Sequence, residues 1–125
     1  MSEINKKIEQ IDLTTTESLG VINNHRKMPN GEMRFGLNFS DGSSYTRTES
    51  TLTKDGWQNS HLHSLIKEMY IVQKGFIIFA EIKNEKLILN RINTGDYCIS
   101  TPGVPHNLYL SSGAIIHTVK YGETH

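Results

Sequence analysis

One cysteine, three prolines, one tryptophan and no apolar run longer than Phe76 to Ala80 set the first bounds on this 125-residue chain. Cys98 has no partner within the chain, so a disulfide-framed secreted scaffold is excluded. The longest apolar stretch falls far short of the ~20 residues that a membrane-crossing helix requires. Excess charge of one sign is missing as well. Lys and Arg number 13, as do Asp and Glu, and no basic cluster of the kind that tracks phosphates appears. The stretch from Met1 to Gln10 is polar and lacks the apolar centre of a secretory signal. The expectation is a soluble, cytoplasmic protein with neither a nucleic-acid nor a membrane partner. Its length suits one domain that buries roughly two-thirds of its unfolded-chain surface without metal or disulfide staples.

What the chain does have is a succession of short alternating segments divided by turn residues. Residues 1–22 mix charge with a Thr/Ser run and read as an arm or short helix leading into a strand, and residues 23–125 read as the domain proper. Pro29, Asn30 and Gly31 predict a chain reversal. Met33, Phe35, Leu37 and Phe39 then alternate with polar residues or glycine as the buried side of a half-buried strand, ended by Asp41-Gly42. Tyr45 to Leu52 is a second strand. Met69 to Ile92 reads as a pair of strands about a polar turn at Lys83 to Lys86. Short strands follow at Tyr97 to Ser100, His106 to Leu110 and Ala114 to Tyr121, separated by Pro102, Gly103, Pro105 and the Ser111-Ser112-Gly113 turn. No long helix is predicted. Short strands closely punctuated by turns argue for an all-β sandwich or barrel of one domain.

The residues that carry chemistry cluster between Gly56 and Gly75. His61 and His63 are two apart, so on a strand their imidazoles share a face. Glu68 heads the next strand and reaches the same face if the two strands pair. His106 opens a later strand, directly after the Gly-Val-Pro turn. Three imidazoles and one carboxylate converging in a barrel would hold one divalent transition metal: Fe, Mn, Ni, Co, Zn or Cu. Four protein ligands on an octahedral ion leave two positions open to water or substrate.

These spacings resemble the cupins. Their first motif frames His-x-His and a later Glu between two glycines, as Gly56, His61-Leu62-His63, Glu68 and Gly75 do here, with one residue fewer after the first glycine. Their second motif runs from a glycine to Pro-x-Gly-x-x-His and a closing asparagine. Gly95, Gly103 and His106 fall at that spacing, while Thr101 replaces the proline and Leu110 the asparagine. The resemblance spans about residues 33 to 121. It implies a double-stranded β-barrel of jelly-roll type, often a homodimer, with His61, His63, Glu68 and His106 as metal ligands. It further implies an enzyme of isomerase, epimerase or dioxygenase type that acts on a small polar molecule such as a sugar or organic acid. Two alternatives stay open: a non-catalytic module binding a small ligand, and a metal-free barrel of the sugar-nucleotide isomerase or epimerase kind.

Around the four ligands, His117 shares parity with Ile115 and Val119 and is expected to point inward with them. With Tyr70, it is a candidate for proton transfer. Tyr97 is a candidate pocket residue, and Trp57, Gln58 and Asn59 lead into His61 near the rim. Arg34, Arg47 and Lys120 are strand cations that could meet an anionic substrate, but a solvated outer face is expected for each, as for the charges from Glu81 to Lys86. Cys98 reads as a small apolar filler. The apolar stretch from Phe76 to Ile82 suits sheet-to-sheet contact between two copies.

Overall fold

The computed structural model describes residues 13–50, 56–58 and 66–122. The described residues open with α1 (Leu13–Ser18) and continue through eleven strands. They are β1 (Val21–Asn23), β2 (Arg26–Lys27), β3 (Met33–Phe39), β4 (Ser44–Glu49), β5 (Gly56–Trp57), β6 (Ile66–Lys74), β7 (Phe76–Lys83), β8 (Lys86–Asn93), β9 (Tyr97–Ile99), β10 (His106–Leu110) and β11 (Ile115–Gly122). The larger sheet runs β1-β3-β4-β11-β6-β9, with β2 also on β3, and the smaller runs β5-β10-β7-β8. All the pairings are antiparallel. The two sheets face each other as an all-β double-stranded barrel.

The expected single run from Met69 through Ile82 is two strands, and Gly75 divides them. Its φ of +76° lies in the left-handed region that glycine alone enters cheaply. A Cβ there would stand 2.5 Å from the Ser111 hydroxyl and 3.2 Å from the Ala114 backbone. At this point the chain leaves the larger sheet as β6 and enters the smaller as β7. The polar turn expected at Lys83 to Lys86 is a two-residue hairpin. Asn84 (φ 52°) and Glu85 (φ 63°) supply the paired positive φ angles that match hairpin twist.

The inner faces hold Tyr70, Val72, Ile77, Phe79, Leu108, Leu110, Ala114 and Ile116, with Ile92 and Cys98 packed against them. This apolar core fills one end of the barrel. Along β6 and β11 the same inner face turns polar. Ile116 lies opposite Val72, Thr118 opposite Tyr70 and Lys120 opposite Glu68. The polar half extends across β4 and β3, where Thr118 faces Thr46 and Thr48 faces Arg34.

That polarity reverses the face expected for β3. Gly36 is its buried position, whereas Met33 is exposed and Phe35 and Leu37 are only half-buried. The inner surface here lines a wet pocket, so the apolar side chains lie on the barrel's outer side. His25 packs edge-on against Phe35 there, with Arg47 over its ring. β4 ends at Glu49, and the rest of the strand expected to Leu52 runs into residues outside those described.

Candidate metal centre and its pocket

Glu68 enters the barrel because β6 alternates strictly, with Glu68, Tyr70 and Val72 buried and their neighbours less so. Two contacts to Ser100 pin it. The Glu68 N–H donates to the Ser100 hydroxyl at 3.0 Å, and the Ser100 N–H donates to the Glu68 carbonyl at 2.8 Å. Only its parity with Cys98 marks Ser100 in the sequence as an inward residue.

His106 is placed by the turn before it, closed by the Val104 N–H on the Thr101 carbonyl at 3.1 Å. The ring lies between Tyr70 and Phe79, with centroids 6.2 and 5.8 Å away. Its Nδ1–H is assigned to the Val104 carbonyl at 3.3 Å, so Nε2 faces the pocket, 3.2 Å from Glu68 Oε2. The Tyr70 hydroxyl donates to the same carboxylate oxygen and lies 3.2 Å from His106 Nε2. Burial pushes the imidazole's pKa down, but the hydrogen bond and charge of Glu68, the Val104 carbonyl and the charge of Glu81 more than offset it. The net direction is upward.

These residues suit a divalent ion. A carboxylate and an imidazole nitrogen, both side chains 2% exposed, point at one another. A backbone carbonyl holds the far side of the ring, the outer-shell arrangement that orients metal-binding histidines. His61 and His63 lie outside the described residues. Among those described, no group of three or more His, Cys, Asp or Glu side chains is placed to hold an ion. Glu68 and His106 are therefore the two of the four implied ligands that the structure brings together.

The pocket beside the pair is a half-open cavity of about 50 Å³. Glu68 and Tyr70 form one wall, and Thr46, Thr48 and Thr118 line the sheet. Arg26, Arg34, Gln58 and Lys120 complete it, and Lys120 Nζ lies 3.8 Å from Glu68 Oε1. Arg34 and Lys120 thus correct the expectation of solvated outer positions. Arg47 does lie on the outer side, paired with Glu49. Gln58 also lines the pocket, and its amide donates to both oxygens of buried Glu32 at 3.0 and 3.1 Å. Nothing in the local sequence of Glu32, beside a Pro-Asn-Gly turn, signalled that burial.

Four further expectations are corrected. His117 lies on the opposite face of its sheet from Glu68, registered with Arg47 and Ile71, because Ile116, Thr118 and Lys120 are the inward positions of β11. The Tyr45 O–H donates to its Nδ1 at 2.5 Å and Nε2–H donates to Gln73 at 2.6 Å. Burial first, and the Arg47 charge second, lower its pKa. Tyr97 is 62% exposed and points away from the barrel interior. Trp57 packs edge-on against Tyr109 on the outer side of the smaller sheet. Glu81, expected on the surface, is buried and stands opposite His106 on the ladder, with the inward parity of Ile77 and Phe79. Its Oε1 lies 3.6 Å from Lys83 Nζ, while Oε2 has no hydrogen-bond partner among the described residues.

This architecture is the cupin fold. The chain superimposes on a structure of oxalate oxidase bound to the substrate analogue glycolate with a TM-score of 0.63 and 18% identity. That match covers 78% of this chain and 54% of the other, so this chain spans about half the length of that oxidase. A deletion mutant of the Bacillus subtilis oxalate decarboxylase superimposes at TM-score 0.67 and 13% identity, covering 85% of this chain and 30% of the other. The CENP-C cupin domain of Drosophila melanogaster matches at TM-score 0.63 and 10% identity, covering 79% and 72%. No family model matches the sequence, and no curated protein matches it significantly. No described helix is long and apolar enough to cross a membrane.

Proposed function

We propose that this chain is a metal-dependent cupin enzyme of isomerase, epimerase or dioxygenase type, acting on a small polar molecule. His61, His63, Glu68 and His106 hold its divalent transition ion. The buried Glu68–His106 pair, fixed by Ser100 on one side and the Val104 carbonyl on the other, carries this reading. When bound, the ion supplies Lewis-acid polarisation of a substrate oxygen. The chain's own residues do the rest. Tyr70 holds a proton on its hydroxyl between Glu68 and His106, and the threonine-lined wall offers hydroxyls to a polar substrate.

A metal-free acid/base barrel is the second reading, favoured by the same cluster of Glu68, His106 and Tyr70 in mutual contact. Metal content of the purified protein separates the two, because a resident ion contradicts the second. The homodimer is read from the outer face of the smaller sheet. There Trp57, Ile82, Leu87 and Leu89 are each about half exposed or more around one apolar groove. Two copies related by a two-fold axis would bury it against itself.

A further inference from the structure

We propose that Arg34, with Arg26 beside it and Lys120 across the pocket, seats the carboxylate of an anionic small-molecule substrate next to Glu68. The inference rests on the reading of Glu68 and His106 as the reaction centre, and it adds the substrate's charge class.

Three observations carry it. First, Arg26 and Arg34 stand directly opposite one another on the β2–β3 ladder, and both line the pocket. Like charges in that position repel and destabilise a sheet unless an anion lies between them. Burial and the Arg34 charge hold the Arg26 guanidinium below its ordinary pKa, a sign of the same crowding. Second, Arg34 is nearly buried and incompletely used. Its Nη2 meets Glu32 at 3.3 Å with 15% of the side chain exposed, while Nε is buried with no hydrogen-bond partner among the described residues. Leaving a buried donor unmade is costly, and a guanidinium edge is shaped for a carboxylate's two oxygens. Glu32 is itself fixed by Gln58, so it positions Arg34 and leaves the Nε edge for a ligand. Third, among the described residues the pocket's three cations face two carboxylates, Glu32 and Glu68. One positive charge is left over before any divalent ion is counted, and the ion would raise the excess to three. Such a pocket attracts anions.

The test is titration calorimetry of the full chain, as purified and after EDTA, with glycolate, malonate and succinate, each against its neutral amide. At least one acid is expected to bind about tenfold or more tighter than its amide. Arg34→Gln is expected to remove that preference. Because that substitution strips Glu32 of its partner and can unfold the chain, Lys120→Met is the second arm. It is expected to weaken the acid about tenfold while the chain keeps a cooperative unfolding transition, since the Lys120 side chain is 37% exposed. No binding by any of the three acids, equal binding of acid and amide, or parent-like binding in Lys120→Met overturns the proposal. Elemental analysis of the same samples separates the failures. Acid preference without any metal sinks the metal reading alone, whereas metal without acid preference sinks this proposal alone.

Discussion

Replacing Tyr70 by Phe removes one oxygen from a buried cluster and little else. Tyr70 is 3% exposed and Glu68 2%, so solvent does not screen their contact. The hydroxyl donates to Glu68 and lies 3.2 Å from His106 Nε2. A hydrogen bond to a charged group contributes about 1.5–3 kcal/mol, and the ring volume is retained, so no cavity term adds. In chelator-treated protein, Tyr70→Phe is therefore expected to cost about 2 kcal/mol, seen as a fall in melting temperature of roughly 5–15 °C for a domain this size. The assay is thermal unfolding of parent, Tyr70→Phe, Glu68→Gln and the double variant. If the contact is the source, the two substitutions couple by about 1 kcal/mol or more, because Phe removes the donor and Gln removes the charge that strengthens the bond. A coupling below about 0.5 kcal/mol would refute the reasoning, even with a large single-variant effect.

Cys98 tests the core from another side. Burial, with the Glu81 charge adding to it, pushes its thiol up to about 12 from 9.0. A group raised this way stays neutral in the fold while the unfolded chain ionises, so it draws stability away as pH climbs from about 9 toward 12. Iodoacetamide labelling at pH 8.5 is expected to be about a thousandfold slower in native protein than in urea. Equal rates would contradict the assignment. Gly75→Ala is expected to cost about 2 kcal/mol or more, from left-handed strain plus the 2.5 Å approach to Ser111. Gly103→Ala, at φ +79° but in open space, is expected to cost about 1 kcal/mol, and denaturant unfolding that ranks them the other way would be evidence against the sheet-switch role. Leu89→Glu is expected to shift a sedimenting dimer to monomer. A parent that sediments as a monomer at high concentration removes the dimer reading.

What could be read from the sequence was whatever depended on local chemistry. The Lys83 to Lys86 turn, the strand opening at His106 and the packing of Cys98 all follow from residues adjacent to them. Hydropathy misplaces inside and outside where the barrel interior is polar. The rule that apolar residues face the core fails on β3 and β11, because half of the barrel interior is a polar pocket. Phasing β11 on Ile115 and Val119 turned His117 inward and Lys120 outward, and the true phase is set by Ile116 against Val72. The same reversal hid Arg34. Glu81 was lost for a different reason, since a charge next to a polar turn is usually solvated and only its parity with Ile77 and Phe79 marks it as buried. Of the candidate centre, Glu68 and His106 lie 3.2 Å apart, and His61 and His63 lie outside the described residues.

The central claim is a metal held by four side chains, and elemental analysis of protein purified without metal-affinity resin tests it most directly. The account predicts about one equivalent of a divalent transition metal in the parent and almost none in His61→Ala or His106→Ala. A parent that holds no metal even after candidate ions are added, or variants that hold it as well as the parent, would contradict it.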